Sequence, residues 1–151
     1  MKRAWIYGIV WAAFTALIVY TSIRTGASYE EAGGRIGAWV NTHLFFNALT
    51  LVEVKTLTQF GAKLFGHFLL FAADGLFAYL TLKSAKVPTM PLVIALACVG
   101  LVLSCLGEMI QLFVEDRNPS VNDVLINYSG YGIFLVTGWL YRRLLNRPVA
   151  E

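Results

Sequence analysis

Four stretches of the chain are apolar for long enough to cross a bilayer as helices: Ala4–Ile23, Leu64–Leu82, Leu92–Val114 and Val124–Tyr141. Each holds about 20 residues, the number a helix rising 1.5 Å per residue needs for a hydrocarbon core of about 30 Å. The pattern predicts an all-α integral membrane protein, with four transmembrane helices in a small bundle forming one domain over residues 1–151. The first stretch follows Lys2 and Arg3 as a signal peptide would, but its apolar run is too long and Thr25–Ala27 is a poor cleavage site, so it reads as a retained anchor. Residues 25–36 are polar and Gly-rich and read as a loop. Gly37–Phe60 mixes Trp39, Leu44, Phe45 and Phe46 with Asn41, His43, Asn47, Glu53 and Lys55, a mixture that predicts an interfacial or re-entrant segment.

Composition supports the membrane reading. Of 151 residues, 58 % are apolar and 14 % charged, which excludes an ordinary soluble domain. The net charge of +3 sits in clusters near the ends of the apolar stretches, with no basic stripe, so no nucleic-acid partner is expected. With four spans, Lys2 and Arg3, Lys83 and Lys86, and Arg142, Arg143 and Arg147 fall on one side, which predicts both termini in the cytoplasm. Trp139 and Tyr141, beside two of those arginines, mark a membrane–water interface. Cys98 and Cys105 are seven residues apart on one predicted helix, about 10 Å, too far for a disulfide, and read as packing residues. Gly100 and Ser104, four apart, are small residues of the kind that let helices approach closely. No cofactor-binding motif is present, and none is expected.

The candidate chemistry gathers at one predicted membrane depth. Lys63 and His67 start the second span, Glu108 and Gln111 end the third, and Asp123 and Asn127 start the fourth, with Arg117 and Ser120 in the corner between. Each pair is spaced three or four residues apart and so occupies one helix face. Ionisable groups in a membrane span are tolerated when they face the bundle interior, and they mark functional sites. Glu108, Asp123 and His67 are the candidates for moving a proton, while Lys63, Gln111, Arg117, Ser120 and Asn127 are candidate ligand-binding groups, the two cations suiting a phosphate. A purely structural account fits the same residues: Ser120-x-x-Asp123 has the form of a capping box, and Glu108 with Lys63 or Arg117 makes an interhelical ion pair. No local spacing selects a metal site, and none is predicted from His67, Glu108 and Asp123. Asp74 lies about 10 Å deeper on the second span, away from the corner, with no partner the sequence identifies.

The pattern Glu108-x-x-Gln111, then Arg117-x-x-Ser120-x-x-Asp123, then Asn127-x-x-Gly130 resembles the signature of VanZ-like membrane proteins, and the resemblance extends to Lys63, His67 and Gly75. Two positions depart from it: Lys63 precedes His67 by four residues where the family often shows three, and Asp74 stands where many relatives carry an apolar residue. The resemblance implies a multi-pass protein of the bacterial cytoplasmic (inner) membrane that influences susceptibility to the glycopeptide teicoplanin. Its expected partners are membrane lipids, a lipid-linked phosphate or headgroup above all, with a homo-oligomer or an envelope protein as further candidates. The alternative is a non-catalytic membrane scaffold whose polar cluster is an interhelical lock. Small-substrate transport fits four spans less well.

Overall fold

The computed structural model describes residues 2–24 and 26–145, and among them all regular structure is helical. Six α-helices are present: α1 (Lys2–Ile23), α2 (Gly26–Leu44), α3 (Leu51–Gly61), α4 (Leu70–Ser84), α5 (Thr89–Gln111) and α6 (Val121–Leu145). A π-helical segment, Ala62–Leu69, joins α3 to α4 without a break. Among the described residues, three helical stretches are long and apolar enough to cross a membrane, Ala4–Ile23, Leu51–Ser84 and Thr89–Gln111. The fourth predicted stretch lies in α6, which is long enough but carries Asn122, Asp123, Asn127 and Ser129 in its first half.

Contacts between helices fix an up-down-up-down bundle. Trp11, Phe14 and Thr15 of α1 meet Asp74 and Phe77 of α4, and Gly8 faces Thr81, so α1 and α4 are antiparallel. Gly107 of α5 lies against Ser22, placing the ends of α1 and α5 at the same level. The core joins Ile18, Phe71, Ala78, Leu92, Leu96 and Tyr131 from four helices. Its closest approaches depend on glycine. A Cβ on Gly75 would collide with the Tyr131 carbonyl, one on Gly130 with the Phe68 carbonyl, and one on Gly100 with the Tyr131 ring. Gly100 and Ser104 therefore do what small residues in a span are expected to do: the aromatic ring occupies the space a larger residue would need, and Ser104 returns its hydroxyl to the Gly100 carbonyl at 2.7 Å.

The segment after α1 differs from its sequence reading. Residues 26–36 are not loop but the first half of α2, which packs antiparallel on α3. The glycines that suggested a loop serve helix packing: Gly33 and Gly37 leave room for Thr58, and Gly37 also for Val54. Arg35 and Glu31 form an ion pair one turn apart on the exposed face. The predicted interfacial segment 37–60 is thus parts of two helices joined by a turn. There Asn41 clamps Leu49 through both its amide groups at 3.1 Å, and Phe46 and Asn47 take positive φ. Thr50 and Glu53 close a capping box that starts α3. Phe46, Leu51 and Val52 are exposed at this tip, the surface expected of an interfacial hairpin.

Helix α5 also stops earlier than predicted, at Gln111 instead of Val114. The next three amide groups bond three residues back, at 3.1–3.2 Å, tightening the chain out of the helix. Of the predicted interface residues, only the backbone of Trp139, Tyr141, Arg142 and Arg143 is described, and Arg147 lies outside the described residues. Cys98 and Cys105 are both free thiols.

Candidate functional site

The polar residues singled out in the sequence meet at one end of the bundle, where α1 and α5 finish and α4 and α6 begin. The π-helical segment supplies Lys63 and His67. Its i→i+5 bonding makes a wider turn than an α-helix, and a four-residue step still returns to the same face. Both side chains point at α6. Lys63 Nζ donates to Asp123 Oδ1 at 2.8 Å, and His67 Nδ1 lies 3.0 Å from Asn127 Oδ1. The two pairs share the same sequence offset of 60, so the π segment and α6 run parallel in register.

Glu108 reaches this pair of helices from α5. It is 5 % exposed, and its two oxygens are spoken for separately. Oε2 accepts the Ser120 backbone N–H at 3.0 Å, and Oε1 accepts a long bond from Gln111 Nε2 at 3.4 Å and lies 3.9 Å from His67 Nδ1. The expected capping box at Ser120 is therefore only half closed from within. Ser120 Oγ accepts the Asn122 N–H at 3.2 Å, but the reciprocal acceptor is Glu108 from the neighbouring helix, not Asp123, which is turned to Lys63.

The site is graded in depth. Asn127, Glu108 and Gln111 are buried, His67, Arg117, Ser120 and Asp123 partly so, and the Lys63 side chain is half exposed at the rim. Arg117 lies in the turn between α5 and α6. All eight predicted site residues thus belong to one end of the bundle. Hydrogen bonds join Lys63 to Asp123, His67 to Asn127, and Glu108 to both Gln111 and Ser120, and the close approach of His67 and Glu108 brings the last two groups together.

That approach, with the half-capped turn, stands on the residues of the E-x-x-Q and S-x-x-D pattern, and the VanZ/LLP1 family model matches residues 4–144. The chain belongs to the VanZ/LLP1 family. The match takes in nearly every described residue, with α2 and α3 inside its bounds. No match to the chain was found among curated proteins or among solved structures.

Asp74 has partners that the sequence did not identify. It is wholly buried and accepts from Thr15 Oγ1 at 2.7 Å and Trp11 Nε1 at 3.1 Å, both on α1. The signal was present in α1, where Trp11 and Thr15 are one turn apart on a single face, but nothing in the sequence aims that face at Asp74. In this VanZ/LLP1 chain, Asp74 is a fastening between α1 and α4, separate from the polar end.

Proposed function

We propose that this VanZ/LLP1-family chain is a four-span protein of the bacterial cytoplasmic membrane, with both termini inside and the polar end facing outward, where it binds an envelope lipid through its phosphate or headgroup. The observation that carries the reading is the grading of the site: a half-exposed Lys63 ammonium at the rim above the buried Glu108, Gln111 and Asn127. The ammonium is paired with Asp123 there, and its half-exposed stem leaves it within reach of an anion arriving at the mouth. Lys63 and Arg117 supply the positive charge an anionic headgroup needs, and Arg117 adds a bidentate fork. His67, between Asn127 and Glu108, is the group suited to move a proton if the headgroup is modified. The exposed Phe46, Leu51 and Val52 at the hairpin tip suit the outer headgroup region, and engagement of a cell-wall lipid there would alter the response to teicoplanin.

Native mass spectrometry of detergent-purified protein tests the reading. A phospholipid or polyprenyl phosphate retained by the wild type and lost from folded Glu108→Gln and Arg117→Ala variants is the expected result. The same lipids on all three proteins would leave the second reading, an interhelical lock, which the Glu108–Ser120 bond favours: a carboxylate that closes a helix cap is already engaged in holding the fold.

A further inference from the structure

We propose that His67, Glu108 and Asp123 form a binding site for a divalent transition-metal ion, with Lys63 as its competitor for Asp123. One ligand atom from each of the three residues falls within 4.8 Å of the others, and the His67 Nδ1 to Glu108 Oε1 distance is 3.9 Å. Metal–nitrogen and metal–oxygen bonds of about 2.0–2.2 Å hold neighbouring donors roughly 3–3.5 Å apart, so a contraction within side-chain reach would close the triangle. The three donors come from three different helical segments, so no spacing in the sequence discloses the site.

The donor set, one imidazole and two carboxylates, suits Zn²⁺ or Mn²⁺ better than Ca²⁺, which takes six to eight oxygens. An outer partner already fixes one of the ligands: the Ser120 N–H orients the Glu108 carboxylate, the kind of support that metal ligands receive from their neighbours. Asn127 Oδ1 lies 3.0 Å from His67 Nδ1, and that bond is given up when this nitrogen takes the ion. Among His67, Glu108, Asp123 and Lys63, two carboxylates face one ammonium. That ammonium is on a flexible, half-exposed stem, and it holds one of the two Asp123 oxygens, Oδ1. Lys63 therefore acts as a built-in counter-ion that an incoming metal displaces toward solvent. There it is free to meet an anion brought to the same place. The inference extends the headgroup reading, since a bound ion would offer a lipid phosphate a further ligand, but metal binding without added lipid is independent of it.

The test is calorimetric titration of chelator-treated protein in detergent with Zn²⁺ alone and with Mn²⁺ alone, with metal content measured after dialysis. The wild type is expected to bind one ion per chain. His67→Gln, Glu108→Gln and Asp123→Asn should each weaken binding by at least about tenfold, since even outer-sphere losses cost that much. Lys63→Met should tighten it by about fivefold, the factor corresponding to one partly exposed ion pair. This gain is one that misfolding does not imitate. Stoichiometric binding absent from both the wild type and Lys63→Met, each folded by circular dichroism, overturns the proposal. So does binding that survives in all three ligand variants, because the ion then sits elsewhere. Metal binding with no lipid retained would uphold the ion site and count against the headgroup reading; the reverse result would do the opposite.

Discussion

Glu108 caps α6: its Oε2 lies 3.0 Å from the Ser120 amide nitrogen and accepts the N–H that a capping box would give to the third residue of the helix. The consequence is that Glu108 joins α5 to α6 at the point where the chain turns. Glu108→Ala leaves a partly buried N–H without its acceptor, and a loss of about 1–3 kcal/mol is expected. Glu108→Gln keeps an amide oxygen in the same place and should retain most of that stability. Thermal unfolding of both variants in detergent checks the difference; equal losses would mean that the charge, and not the cap, is what α6 requires.

Lys63 and Asp123 make an ion pair with a markedly exposed member, the Lys63 side chain being 52 % and Asp123 13 % accessible. Solvent screening limits its value to about 1 kcal/mol or less. Lys63→Met should therefore leave the fold standing, with a small loss at low ionic strength that shrinks as salt is raised. Unfolding midpoints over a salt series measure it.

Gly130 has no room for a side chain, because a Cβ would collide with the Phe68 carbonyl. Gly130→Ala should push α6 away from the π segment and cost about 1–3 kcal/mol, the range for overpacking a tight core. The displacement would also reach the bond from His67 to Asn127, which lies on the same helix pair. Gly132 has nothing within contact of a Cβ, and Gly132→Ala should be close to neutral. The two substitutions in parallel separate loss of a close approach from a general effect of alanine.

Asp74 fastens α1 to α4 through two bonds, from Thr15 and Trp11. Asp74→Ala removes both, and about 1–3 kcal/mol of stability should go with them, since hydrogen bonds between membrane helices contribute about 0.6 kcal/mol on average and the two donors are left unpaired. The polar end is formed by other residues, so metal and lipid binding should persist. Loss of either in a folded Asp74→Ala protein would show that the two regions are coupled.

The interior of the first and third long helices was legible from hydropathy alone, because about 20 uninterrupted apolar residues have few other solutions. The candidate site residues were legible for the opposite reason: Glu108, Gln111, Asp123 and Asn127 interrupt apolar helices where a polar group is costly. The 25–36 segment was misread because Gly33 and Gly37, which look like loop residues in isolation, are helix-packing positions once Thr58 lies against them. The early end of α5 was missed because Leu112 and Phe113 continue the apolar pattern while their backbone leaves the helix and their side chains are exposed.

The sequence by itself determined that apolar helices dominate, that the charged groups are few, and that a polar set recurs at matching positions on three of the helical stretches. Periodicity and length suffice for that, since each is a property of local chain and solvent. Only the tertiary structure decided who partners whom. Glu108 takes the Ser120 N–H and leaves Asp123 to Lys63, Asp74 turns to α1, and His67, Glu108 and Asp123 draw within 4.8 Å. These choices follow from glycine-permitted approaches between the π segment, α4 and α6, and contacts between residues 60 apart leave no trace in local pattern.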